Sequence, residues 1–174
     1  FEAMRVELEA LVRDVVAVRY FGPNAAQFKI QCGEIASQFA TSLSQDLDRI
    51  GQAVSQATMA IARSLGGSSV SLSVNVAAVP VPAVDPGDGT VDIDTTALGS
   101  LKPVVAARFG ALEEGLHAHL LRLQATDWEG AAKERAVAEV GSFTRVAQSR
   151  IGEARTSIDA TIERQLTAVL AADR

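Results

Sequence analysis

The sequence contains few of the residues on which disulfides, metal sites and catalytic sites depend. One cysteine in 174 residues excludes an internal disulfide, and two histidines offer little for a metal site or a catalytic base. The chain also lacks a glycine-rich loop that would hold a phosphate group. These absences predict a protein that is not an enzyme and that binds neither a cofactor nor a metal.

Basic residues and long apolar runs are scarce as well. The 16 basic residues are outnumbered by 21 acidic ones, which gives a net charge of −5. Because nucleic-acid binding requires a basic surplus that neutralises phosphates, nucleic acid is excluded as a partner. The apolar runs are far shorter than the roughly 20 residues of a transmembrane helix, so no membrane span is predicted. Hydrophobic residues still make up 48% of the chain, enough for a substantial core.

Glycine and proline divide the chain into three segments. Residues 1–65 and 101–174 contain few helix breakers, whereas residues 66–100 are rich in Gly, Pro, Ser, Val and Asp. This pattern predicts a helical hairpin, an extended and partly β linker, and a second helical hairpin, all in one folded unit. In the linker, apolar residues alternate with polar ones from Val70 to Val76, and Thr90 to Asp94 is a shorter candidate strand. The two segments are candidates for a two-stranded ribbon.

Apolar residues that recur every three or four positions predict the helices of each hairpin. Helices are expected at about 1–20, 23–65, 101–126 and 130–171. The longest stripes are formed by Phe28, Cys32, Ile35, Phe39, Leu43, Leu47, Ile50 and Val54 in the first hairpin and by Phe143, Ala147, Ile151, Ile158, Ile162 and Val169 in the second. A hairpin with one apolar stripe per helix cannot bury both stripes alone, so the hairpins are expected to pair as a four-helix bundle.

The two hairpins are related by an internal duplication. A shift of 108 positions without gaps pairs Phe1 with Phe109 and Leu43 with Ile151, and it also places Tyr20-Phe21-Gly22 on Trp128-Glu129-Gly130. In this register the second copy begins near Leu101, so we expect the first helix to begin before Phe1 and the chain to be a fragment. The linker of about 35 residues predicts antiparallel hairpins, with the two aromatic turns at opposite ends, because parallel hairpins would need only a short connection.

Three remaining features favour structural roles. Cys32 lies on an apolar stripe and is predicted to be a small buried hydrophobe. His117 and His119 are two positions apart on a helix and cannot ligate one metal together, and His119 is expected to pack partly buried. The aspartates of the linker, Asp85, Asp88, Asp92 and Asp94, lack the spacing of a calcium loop and are expected in solvated turns.

The aromatic turns carry a resemblance to a known family. Trp128-Glu129-Gly130 between two amphipathic helices resembles the Trp-x-Gly turn of the WXG100 family, helical-hairpin proteins exported by type VII secretion systems. Tyr20-Phe21-Gly22 is a Tyr-for-Trp variant of the same turn. Family members usually pair as dimers of single hairpins, so this chain resembles such a pair fused into one polypeptide.

The resemblance implies a secretion substrate or a targeting domain whose partners are the secretion machinery or a chaperone protein, with Trp128, Gly130, Tyr20 and Gly22 as motif residues. The chain departs from the family pattern because Tyr20 is its only tyrosine, and the Tyr-x-x-x-acid export signal after a second helix is therefore missing. The alternative is a cytoplasmic structural or scaffold bundle that associates with copies of itself. Secretion in the native host distinguishes the two hypotheses.

Overall fold

The protein is mostly helical throughout the part of the chain that the structure describes. This computed structural model describes residues 2–64, 66, 78–85, 87, 91–125 and 130–172. The helices are α1 (Glu2–Ala17), α2 (Pro23–Ser64), α3 (Thr95–Gly99), α4 (Leu101–Ala125) and α5 (Ala131–Ala172), and the strands are β1 (Tyr20–Phe21) and β2 (Asp92–Ile93). The all-α prediction is confirmed, and the bounds of the long helices lie close to the predicted ones.

The long helices contact one another in a closed order. α1 packs against α2 and α4, and α5 packs against the same two helices. α2 and α5 are antiparallel, because Arg150 donates to Asp46 near the middle of both helices while Tyr20, just before α2, reaches Gln165 near the end of α5. The Tyr20 turn and Gly130 therefore lie at opposite ends of the 42-residue helix α5, about 63 Å apart along its axis, as the linker length predicts.

The predicted apolar stripes supply the core between these helices. Phe39 of α2 meets Phe109 of α4 edge to face, with ring centroids 5.9 Å apart. The largest fully buried side chains include Phe28, Leu43, Leu112, Ile151, Ile158 and Ile162. At the α1–α4 boundary, Arg108 donates to Glu7 at 2.9 Å and to Asp14 at 3.2 Å. The helices thus pack through their apolar faces and are aligned by charged side chains at the margin.

The two halves have equivalent helix bounds. α2 and α5 each contain 42 residues, and a shift of 108 positions places Pro23–Ser64 on Ala131–Ala172. The same shift places the end of α1 on the end of α4. Immediately before the long helices, Gly22 has a φ of 122° and Gly130 a φ of 105°, values that favour glycine.

Burial differs between equivalent positions of α1 and α4. Leu11 is buried under the N-terminal turns of α4, whereas its counterpart His119 is exposed. The expectation that His119 packs partly buried is therefore wrong. The reason is the antiparallel offset of the two helices: α4 beyond Leu116 runs past the described start of α1, so α1 does not cover it.

The described part of the linker has regular strand structure only at β2. β2 pairs with β1 in an antiparallel arrangement, with Tyr20 opposite Ile93 and Phe21 opposite Asp92. The partner of the predicted Thr90–Asp94 strand is thus the first turn, while the predicted Val70–Val76 strand lies outside the described residues. α3 was not predicted, although Asp94 caps it by accepting from the Ala97 N–H at 2.9 Å.

Residues 78–85, which we call the strap, cross α2 at Gly33. Val79 of the strap is fully buried in the core. A Cβ atom added to Gly33 would lie 2.7 Å from Pro82 Cδ and 3.6 Å from Val81 Cγ1, closer to the proline ring than packed atoms can come. The absence of a side chain at Gly33 therefore lets the strap lie directly on the helix.

We predict opposite effects for alanine at the two equivalent glycines. Gly33→Ala should lower the free energy of unfolding by about 1–3 kcal/mol, because the Pro82 ring must move. Gly141→Ala should raise it by about 0.5–1 kcal/mol, because alanine favours the helix and no described atom lies within 4 Å of the added Cβ. Urea unfolding of both variants measures the difference. Equal stabilisation by both would show that the strap does not press on Gly33.

Candidate functional site

The first aromatic turn joins three parts of the molecule. Tyr20 is 3% exposed, and its ring packs against Phe28 of α2 with centroids 5.8 Å apart. Its hydroxyl donates to Gln165 Oε1 of α5 at 2.8 Å. Because β1 also pairs with β2, this predicted motif residue contacts the first hairpin, the linker and the second hairpin. Burial raises the pKa of the Tyr20 hydroxyl.

A buried lysine closes the end of α1 beside this turn. The Lys29 ammonium donates to the carbonyl oxygens of Val16 at 2.7 Å and Val18 at 3.1 Å, and it lies 4.6 Å from the centre of the Phe21 ring. Carbonyl groups at a helix C-terminus lack partners within the helix, and a positive charge there is favourable. Burial lowers the pKa of Lys29. Sequence analysis missed this residue, which lies beside Phe28 on an apolar stripe.

The linker is fastened to the first turn by polar contacts. Arg19 Nε donates to Asp92 Oδ2 at 3.1 Å, and the Asp94 N–H donates to the Arg19 carbonyl at 3.0 Å. The linker aspartates in the described residues therefore serve local structure, since Asp85 also accepts from the Gly87 N–H at 2.8 Å. Asp88 lies outside the described residues.

Apolar side chains are exposed around the first turn. Phe21 is 50% exposed, Val91 61% and Leu170 54%. Between β1, β2 and the end of α5 lies an open groove of about 450 Å³, which is lined by Tyr20 and Ile93 among others. Exposed apolar surface of this kind is typical of a contact site for another protein.

The second aromatic turn is described only at its glycine. Gly130 accepts from the Glu134 N–H at 3.1 Å, and at the equivalent position Gly22 accepts from the Ala26 N–H at 2.9 Å. The two glycines therefore begin their helices in the same way. Trp128 and Glu129 lie outside the described residues, so the predicted equivalence of Trp128 and Tyr20 stays a prediction.

The reactive side chains do not form a catalytic or metal-binding arrangement in the described part of the chain. Cys32 is buried, as predicted, and burial raises the pKa of its thiol to about 12. His117 and His119 are exposed on α4. Within residues 2–64, 66, 78–85, 87, 91–125 and 130–172, no three His, Cys, Asp or Glu side chains are grouped so as to hold a metal ion. None of the helices in these ranges has the length and apolar character needed to cross a membrane.

We predict that Tyr20 titrates above the ordinary tyrosine pKa of about 10. Because the chain has a single tyrosine, the ultraviolet absorbance of tyrosinate reports this residue alone. The folded state holds the neutral hydroxyl, so the stabilising contribution is complete below pH ~10 and is lost as the pH rises through the folded-state pKa. Titration in urea is the control. A midpoint that is the same in both conditions would contradict the buried hydrogen bond to Gln165.

We also predict that the Cys32 thiol is unreactive in the folded protein. At pH 8 a thiol with a pKa of about 12 is almost entirely protonated, and the reagent has no access to it. A chromogenic disulfide reagent should modify Cys32 only as fast as the protein opens, whereas it should react fully and rapidly in urea. Rapid modification under native conditions would show that Cys32 is accessible.

Comparison with known proteins identifies no relative of this chain. No family model, curated protein or solved structure matches it. The geometry of the two turns and of the surfaces around them is therefore the basis for an inference about function.

Proposed function

We propose that this chain is a non-enzymatic protein-interaction module, a four-helix bundle of two duplicated antiparallel hairpins that is a substrate or targeting domain of a type VII secretion system. The observation that carries the proposal is the equivalence of the halves. Each contains a 42-residue helix preceded by a positive-φ glycine, and both glycine carbonyls accept from the N–H four residues later. This is the arrangement expected of two WXG100-like hairpins fused into one chain.

The two ends of the molecule differ in a way that fits a division of labour. At the first turn, Tyr20 is buried and the linker covers the end of α2. Toward the second turn, the apolar residues of α4 are less covered: Leu121 is 51% exposed, and Leu120 and Leu123 are half-buried. We infer that the first turn holds the hairpins together, whereas the end that carries Trp128 and Gly130 is available to the secretion machinery or a chaperone.

Export of turn variants in the native host tests the proposal. Trp128→Ala combined with Gly130→Ala should abolish export, while the circular dichroism of the purified variant stays helical, because the long apolar stripes lie elsewhere. The change at Gly130 should cost about 1–2 kcal/mol of stability, since alanine is disfavoured at its φ.

Tyr20→Phe is the matched control at the other turn. It removes the hydrogen bond to Gln165 but keeps the ring, so it should cost about 1 kcal/mol and leave export unchanged. Normal export of the Trp128/Gly130 double variant, or absence of wild-type export from a host with an active type VII system, would contradict the proposal.

The second candidate is a cytoplasmic scaffold that associates with copies of itself. The exposed apolar residues around the first turn, Phe21, Val91 and Leu170, favour it because such a surface suits a partner of the same kind. Light scattering across a concentration series, together with cell fractionation, separates the two functions. A stable oligomer that stays in the cytoplasm supports the scaffold, and an exported monomer supports the secretion module.

A further inference from the structure

The seat of the strap on α2 has an equivalent position on α5. At Gly33 the strap lies against bare backbone, with Pro82 Cδ only 2.7 Å from the site of a Cβ atom, and Gly33 is buried as a result. The residues beside it, Lys29 and Cys32, are each 2% exposed. The shift of 108 positions places Gly33 on Gly141.

The equivalent position on α5 is not covered by the residues that the structure describes. Among them, no heavy atom lies within 4 Å of a Cβ built on Gly141, which is half-exposed. Val137 and Val140, the counterparts of Lys29 and Cys32, are also only half-buried. Because valine replaces the lysine, this surface contains no ammonium group and is more apolar than its counterpart on α2.

We propose that the surface formed by Val137, Val140 and Gly141, the Gly141 groove, binds an extended segment of a partner protein that contains alternating valine and proline. The segment lies on α5 as Val79–Pro82 lies on α2, with a proline ring against the bare backbone of the glycine. Proline suits this position because an extended proline-containing chain loses little conformational entropy on binding. The proposal rests on the internal duplication proposed above.

A second copy of the chain is the less suitable occupant. Its own strap is already seated on its own α2, with Val79 buried in the core and Pro82 against Gly33. To reach the Gly141 groove of another copy, the strap would have to expose Val79 and leave Gly33 uncovered. A segment from a different protein binds without that loss.

Fluorescence anisotropy with a labelled peptide that copies residues 78–85 tests the proposal on the full chain. Saturable binding is expected, and Gly141→Leu should weaken it by about tenfold or more, because the leucine side chain fills the place of the proline ring. Gly152→Leu is the matched control: it also lies in α5, no described atom approaches its Cβ within 4 Å, and it gains the same helix propensity. It should leave the affinity unchanged.

Two further measurements make the outcome decisive. Val137→Glu places a charge in the groove without new bulk at the glycine and should also weaken binding by about tenfold, and a peptide in which alanine replaces both prolines should bind less tightly than the parent. Absence of saturable binding, or equal affinity for wild type and Gly141→Leu, would overturn the proposal. Because peptide binding is measured without export, its failure is distinguishable from failure of the secretion function.

Discussion

The length of α2 is the constraint on which the rest of the structure depends. Its 42 residues extend about 63 Å, so α2 ends far from the first turn. The next long helix, α4, must nevertheless begin beside the end of α1, where Leu101 and Val18 line the same surface. The chain therefore has to return along the molecule, and the strap, β2 and α3 are the described parts of that return path.

The return path is held mainly by apolar burial. Val79 and Leu98 are fully buried, and each contributes about 1.5–3 kcal/mol by the usual value for an aliphatic side chain. The ion pair between Arg19 and Asp92 is exposed and contributes about 0–1 kcal/mol. The apolar side chains thus supply the stability of the linker, while the polar contacts fix how β2 aligns on the first turn.

Periodicity alone was sufficient to predict the long helices, because each has an apolar stripe that continues over many turns. The bounds at Gly22 and Gly130 were also predictable, since glycine has a distinct backbone preference. The partner of β2, in contrast, depends on where the linker passes in three dimensions, and no local pattern contains that information. Sequence periodicity also places Lys29 among apolar neighbours without showing that two carbonyl groups at the end of α1 receive its ammonium.

The differences between the halves could not be predicted from the repeat. A repeat equates Leu11 with His119 and Gly33 with Gly141, but burial depends on what lies across each position. Leu11 is covered by the start of α4 and Gly33 by the strap, whereas His119 is exposed and Gly141 is half-exposed. The duplication thus accounts for the helices, and the single linker accounts for the asymmetry of their surfaces.

Two hairpins of equal helix length in one chain could in principle exchange with those of another chain, since the interface would be the same. The strap bears on this competition because it is anchored at Gly33 and, through β2, at the first turn. A short anchored connection keeps the second hairpin at a high effective concentration beside the first. Intramolecular closure is thereby favoured over domain exchange at any protein concentration below that effective value.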